Sequence, residues 1–319
     1  MDYLLLLAAC AFFALQFVFQ KGFERRAKAG MVVCLWNILV SGGVAILFLL
    51  CKSGLPRGIN PTAFVIAALY AASGLLCSIA TISAMASGPV SGIGVWCLAG
   101  GMILPFLYGV FLLSEPANAW KWLGMATLTL SLVPAVIRRD RAETSKERAN
   151  LRYVLWCTVI FLTNGFVSIF SKMHQISPSS IGEDAFVLTG ALLRCGAAVI
   201  LILVSAWIAS GRGEKQPLRA AFYDIGREGT TGKLFLLLFG FAAAYSILNT
   251  LGNLLSLRCM NTLDASVQFP LLSATVTVLT AIFGALFFRE KLRGMTILSL
   301  ILTVLGAGLI AVSAQIGGS

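Results

Sequence analysis

Arg194 stands apart from every other charge in the chain, nine residues into an otherwise uncharged stretch that begins at Ala185. At roughly 1.5 Å per helical residue that is a depth of about 14 Å. A guanidinium is costly in hydrocarbon, so it is expected to face the interior of a helix bundle. There its fork of donors suits a carboxylate or phosphate on a bound solute. The other reading is that it snorkels, or bonds helix-end carbonyls. Tyr245, Asn249, Asn253 and Ser256 follow at spacings of 4, 4 and 3, which puts them on one helical face. Tyr70, Cys77, Ser78 and Thr81 form a comparable set earlier in the chain. Such a stripe either lines a cavity and hydrogen-bonds a solute or joins helices to one another. Gln16, Gln20, Asn164 and Ser168 are further cavity candidates. Trp96 could stack on a ring or cation, or simply pack. Lys21 and Lys172, at the ends of apolar runs, either draw anions to an entrance or anchor at headgroups. Glu115, followed by Pro116, and Glu290 precede apolar runs whose amino ends they are expected to stabilise through the helix dipole.

The missing chemistry narrows the field. No H-E-x-x-H or G-x-S-x-G is present, and no acid lies inside an apolar run, so no catalytic residue, cofactor or enzyme activity is expected. The single histidine, His174, and eight scattered cysteines without a C-x-x-C pair imply packing residues, with neither a metal site nor a disulfide framework. All thirteen acidic residues fall in loops or at the ends of apolar runs. A proton-coupled exporter of cationic drugs is expected to hold a carboxylate at mid-membrane. Its absence favours an anionic, zwitterionic or neutral cargo.

These groups need elements to position them, and composition says which. The 319 residues are 58% hydrophobic and 12% charged, with a mean hydropathy of +0.90, a balance tolerated only in a bilayer. The net charge of +11 resides in short runs between apolar stretches, the pattern of membrane loops and not of a nucleic-acid surface. Runs long enough to cross the hydrocarbon lie at 3–20, 29–51, two within 58–114 broken at Ser87-Gly88-Pro89, 117–137, 153–171, 185–210, 234–257, 265–288 and 294–315. Leu7-Ala8-Ala9-Cys10 resembles a lipoprotein processing site, but the apolar run continues through it and is read as the first span. A polar segment at 138–152 separates a five-span half at 1–137 from another at 153–319. In the loop after the seventh span, Pro217 to Gly226 is patterned as a short interfacial helix. Eighteen Lys and Arg fall on the side of that loop against five on the other, which predicts the first side cytoplasmic and both termini extracytoplasmic, in a multi-pass inner (plasma) membrane protein.

The halves resemble each other. At an offset of 175, residues 64–115 align without a gap on 239–290 with eleven of 52 positions identical. The pairs include Tyr70 with Tyr245, Met85 with Met260, Gly109 with Gly284 and Glu115 with Glu290. At an offset of 151, Phe19-Gln20-Lys21 falls on Phe170-Ser171-Lys172. Because each half holds an odd number of spans, the second enters the membrane inverted. The expected fold is therefore all-α and integral to the membrane: ten transmembrane helices as two inverted five-helix repeats, a transporter design in which one chain holds both repeats and a monomer suffices.

The chain resembles the drug/metabolite transporter superfamily, in its ten-helix, EamA-like branch. The resemblance rests on Phe19-Gln20-Lys21 closing the first span and on Ala84-Met85-Ala86-Ser87-Gly88-Pro89 before the fourth. It rests also on Leu112-Leu113-Ser114-Glu115 followed by Gly124, recurring as Phe287-Phe288-Arg289-Glu290. Ser299 stands where Gly124 would recur, and Asp264 where Pro89 would. The resemblance implies spans 1 to 4 and 6 to 9 around a central cavity, spans 5 and 10 bracing it, and alternating access. The expected function is a secondary transporter or exchanger of a small organic solute, with Arg194, Tyr70, Tyr245, Asn249, Asn253, Trp96 and Gln16 as substrate contacts. Alternatives are a lipid or lipid-linked sugar flippase of the same fold and a drug or cation exporter.

Overall fold

The computed structural model describes residues 2–27, 30–54, 58–85, 87, 90–133, 151–211, 225, 231–289 and 294–316. Ten α-helices fall within them: α1 Asp2–Glu24, α2 Met31–Ser53, α3 Pro61–Met85, α4 Val90–Leu107, α5 Ala119–Ser131, α6 Leu151–Ile176, α7 Glu183–Gly211, α8 Gly232–Cys259, α9 Ala265–Phe288 and α10 Gly294–Ile316. Nine of them are long and apolar enough to span a bilayer, and α5 is shorter, at 13 residues. Helices are what such runs must form, since hydrocarbon offers backbone N–H and C=O groups no other partner. The predicted spans thus appear in order. Most of the charged linker, the interfacial helix except Ile225, and both Pro89 and Glu290 lie outside the described residues.

Local chemistry sets several helix ends. Pro105 lies inside α4, which runs on into a π-helical turn, Tyr108–Leu112, before Ser114 takes a left-handed φ of 55°. Arg289, closing α9, takes a φ of 53°, and it is the residue aligned with Ser114 at the offset of 175. The α5 amino end is capped by Asn118, whose side-chain oxygen accepts the Lys121 backbone N–H at 2.9 Å. This corrects the expectation for Glu115. The carboxylate does not serve α5 but reaches across to the amino end of α9, accepting N–H groups from Ala265 (2.7 Å) and Ser266 (2.8 Å) and the Ser266 hydroxyl (2.5 Å). The left-handed turn at Ser114 directs it there, and Gly109 makes room: a Cβ at 109 would lie 2.4 Å from Glu115 Oε2. The positive end of the α9 dipole and its unpaired N–H groups supply the attraction.

Helices α1 to α5 pack mainly on helices α6 to α10. α1 lies along α8 and α9, while α6 lies along α3 and α4; α2 packs on α7, and α5 on α10. Exchanging each helix for the one five places on leaves this set of pairs unchanged. Small residues bring the backbones close. A Cβ at Gly100 would fall 2.0 Å from Phe161 O, one at Gly165 would fall 2.8 Å from Gly100 O, and Gly124 and Gly306 face each other across α5 and α10. Ser299, in the place aligned with Gly124, faces Ser131, aligned with Gly306, and donates to its carbonyl at 2.6 Å. A glycine contact at one crossing is answered by a hydrogen-bonded serine contact at the other.

Candidate functional site

Six helices, α1, α2, α3, α6, α7 and α8, enclose a cavity of about 830 Å³. Among the described residues α4 and α9 contribute none to the lining, which departs from the arrangement implied by the family resemblance. The glycine contacts between α4 and α6 seat α4 against α6, and α9 packs along α1.

Arg194 lines this cavity, together with Tyr70, Tyr245, Asn249 and Asn253. Its guanidinium lies over Gly74 of α3, where a side chain would crowd it: a Cβ at 74 would be 3.4 Å from Nη1. Its Nε is buried and has no hydrogen-bond partner among the described residues. The Tyr70 ring rests on Gly190, whose Cβ would be 3.0 Å away, and tilts against Phe186 with centroids 5.1 Å apart.

On α8 the polar stripe lines the cavity and also joins helices. Asn253 Nδ2 donates to the Asn249 carbonyl (2.8 Å) and side-chain oxygen (2.9 Å), and Asn249 Nδ2 donates to Gln16 Oε1 of α1 at 2.7 Å. Gln16 is therefore buried behind the wall as its brace. Ser256, last of the stripe, lies away from the lining and accepts Gln268 Nε2 at 3.2 Å. Trp96 is also off the lining, edge-on to Phe161 at 6.3 Å, because α4 is set back. Asn164 lines the cavity while donating to Cys97 O at 2.7 Å, and Gln20 lines it while donating to Glu24 Oε1 at 2.8 Å.

Neither lysine is on the lining. Lys172 is buried, with Nζ held by the Met260 (2.6 Å) and Leu263 (2.8 Å) carbonyls at the end of α8. Lys21 stands over the Phe288 ring at 4.6 Å from the centroid. Both carry out packing chemistry that the sequence does not distinguish from an entrance role. Lining residues missed by the sequence reading are Asn37, Ser41, Ser246, Cys34 and Glu24. Asn37 carried the same signal as Arg194, a polar side chain inside an apolar run, without the charge that draws attention to it. Glu24 ends α1 and reaches the cavity from there.

The two ends of the cavity differ. Where α2 ends and α7 begins, Lys52 Nζ and Ser53 Oγ hold Asp184 at 2.6 and 2.5 Å, and Asn60 Nδ2 donates to Ser179 O at 2.8 Å. Below them Leu49, Ile66, Phe186, Leu257 and Phe269 pack into one apolar cluster. At the opposite end the lining includes exposed Glu24 and Gly30, between α1 and α2. The structure is shut at the first end and lined by solvent-exposed residues at the second.

The model of the EamA-like transporter family matches residues 151–312. A solved crystal structure, described only as that of a protein, superposes with a TM-score of 0.69 over 98% of this chain and 98% of its own, at 13% identity. That likeness shows a shared fold. No curated protein matches in sequence. With nine helices apolar and long enough to span a bilayer among the described residues, a cavity between six helices, and the family's model matching residues 151–312, the chain belongs to the EamA-like transporter family, whose members are membrane transporters.

Proposed function

We propose that the protein is a secondary transporter, not an enzyme, moving a small organic metabolite across the membrane by alternating access. Its cargo is an anion, with zwitterionic and neutral solutes the next candidates, and Arg194 reads the acid group. The observation that carries this reading is Arg194, whose buried Nε has no hydrogen-bond partner among the described residues, on the wall of a cavity of about 830 Å³, a volume within the range that small-molecule sites occupy. A cation cargo finds no carboxylate on the described lining other than Glu24 at the exposed end.

Alternating access is supported by the exchange of helix pairs between the halves, by the aligned left-handed residues Ser114 and Arg289, and by the matched crossings of Gly124 with Gly306 and Ser131 with Ser299. These fit halves at 1–137 and 153–319 related by a pseudo-twofold axis in the membrane plane. The lysine and arginine bias puts the Glu24 end of the cavity in the cytoplasm of a cell with both termini outside. One chain completes the cavity, so a monomer suffices.

The test begins with a thermal-unfolding screen of purified protein against metabolite pools, since a bound ligand stabilises in proportion to its occupancy. Hits are then followed as uptake or exchange in reconstituted vesicles. Arg194→Ala should abolish transport of an anionic hit while the protein still unfolds cooperatively; unchanged transport overturns the assignment of Arg194. A reporter fused after Ser319 that is active only in the cytoplasm overturns the orientation.

A further inference from the structure

Two polar atoms of cavity-lining residues are buried without a hydrogen-bond partner among the described residues: Arg194 Nε on α7 and the Asn37 side-chain oxygen on α2. They lie on two helices that pack together, each lining the cavity. Cys195 Sγ donates to Ile38 O at 3.9 Å, and Gly42 leaves space for that sulfur, so positions 37 and 194 each precede one member of the contact. One atom is a donor on a fixed positive charge, and the other is a neutral acceptor. Leaving a buried polar group unsatisfied costs about 1–3 kcal/mol, so two on the wall of one cavity mark a place where another molecule completes them. The Ser78 and Thr81 hydroxyls on the lining direct their protons to their own helix, to Gly74 O and Cys77 O.

We propose that the cargo is a monoanionic organic acid with a neutral hydrogen-bond donor beside the acid group, as in a 2-hydroxycarboxylate. The acid pairs with Arg194, and the hydroxyl donates to the Asn37 oxygen. This rests on the transporter reading above and narrows its three cargo classes to one. An ammonium could also donate to Asn37, but it would set a second positive charge beside the guanidinium. The one carboxylate on the described lining, Glu24, is exposed and already accepts from Gln20. A neutral polyol would leave the guanidinium uncompensated. In a site of low dielectric these charge terms outweigh one hydrogen bond.

The experiment uses hexanoate, 2-hydroxyhexanoate and norleucine, which share a six-carbon chain and differ by hydrogen, hydroxyl or ammonium at carbon 2. Binding to the purified full chain is measured by calorimetry. 2-Hydroxyhexanoate should bind about tenfold tighter than hexanoate, and norleucine more weakly than either. Asn37→Leu should reduce the hydroxyl preference to about one while leaving hexanoate unchanged, and Arg194→Gln should remove both acids. If Asn37→Leu does not fold, Asn37→Asp serves, and norleucine should then overtake both acids. Equal binding of the three, norleucine tightest in the unmodified protein, an unaltered ratio in the Asn37 variant, or no binding up to about 10 mM each overturns the proposal. Exchange of any metabolite across vesicles would keep the transporter reading standing when these ratios fail.

Discussion

Ser266 gives both its backbone N–H and its hydroxyl to the same carboxylate oxygen of Glu115, at 2.8 and 2.5 Å. The two residues lie 151 positions apart, one after α4 and the other in the first turn of α9. Lys121 adds its ammonium to the Ser266 hydroxyl (3.0 Å) and the Pro116 carbonyl (2.6 Å), with Asp264 at 3.6 Å. A charged cluster thus holds the amino end of α9 against the start of α5.

Removing the carboxylate should destabilise the fold without touching the cavity. Glu115→Ala should lower stability by about 2 kcal/mol or more, since three charge-assisted hydrogen bonds are lost and two N–H groups are orphaned. Glu115→Gln should lose less. Thermal unfolding in detergent measures both, and an Ala variant as stable as the parent would show that the cap is worth nothing.

Glycines at the crossings should be far less tolerant than glycines facing open space. A Cβ at Gly124 would lie 2.7 Å from Ile310 Cγ1 and 2.9 Å from the Gly306 carbonyl, whereas one at Gly43 meets nothing within 4 Å. Gly124→Ala should cost about 1–3 kcal/mol through backbone displacement, and Gly43→Ala should be neutral or slightly stabilising. Equal unfolding temperatures for the two variants would contradict the close approach of α5 and α10.

The Lys52–Asp184 pair at the shut end of the cavity should act as a latch between α2 and α7. Lys52→Asp should speed labelling of a cysteine placed at Val187, in a cysteine-free background, by an impermeant thiol reagent from that side. Charge reversal by adding Asp184→Lys should slow it again. The pair is partly exposed, so the effect of either single change should be modest, within about tenfold. Labelling that ignores both changes would assign the seal to the apolar cluster alone.

Native thiols offer a check on the lining. Cys34 and Cys77 line the cavity, while Cys157 is fully buried among Ala80, Ala84 and Ile160. A small methanethiosulfonate should modify the first two and spare Cys157, and a bound transport substrate should slow the reaction. Peptide mass spectrometry reads the sites; preferential modification of Cys157 would misplace the cavity.

Charge inside apolar runs proved the legible part of this protein. Spans could be read because hydrocarbon length and uncharged runs match, and Arg194 was visible because a guanidinium in such a run needs a reason. Glu115 could be recognised as a helix-end carboxylate but not assigned to its helix. Proximity in sequence favoured α5, and only the left-handed turn at Ser114 with the space at Gly109 sends the side chain to α9. Lys172 was ambiguous for a similar reason, since its carbonyl partners lie 88 and 91 residues away. Trp96 and Gln16 lost cavity contact through a slight setback of α4 and through one hydrogen bond, details beyond any helical periodicity.

The bond between Asn249 and Gln16 spans 233 residues of chain. At about 5–20 residues per second of synthesis, Gln16 enters the bilayer on the order of 10–50 s before its partner exists. Through that interval α1 has neither α8 nor α9 to cover it, and its amide must be held by lipid headgroups, by water or by the insertion machinery. The covering of α1 therefore waits on α8 and α9, so a chain cut short before Asn249 leaves the Gln16 amide without its partner.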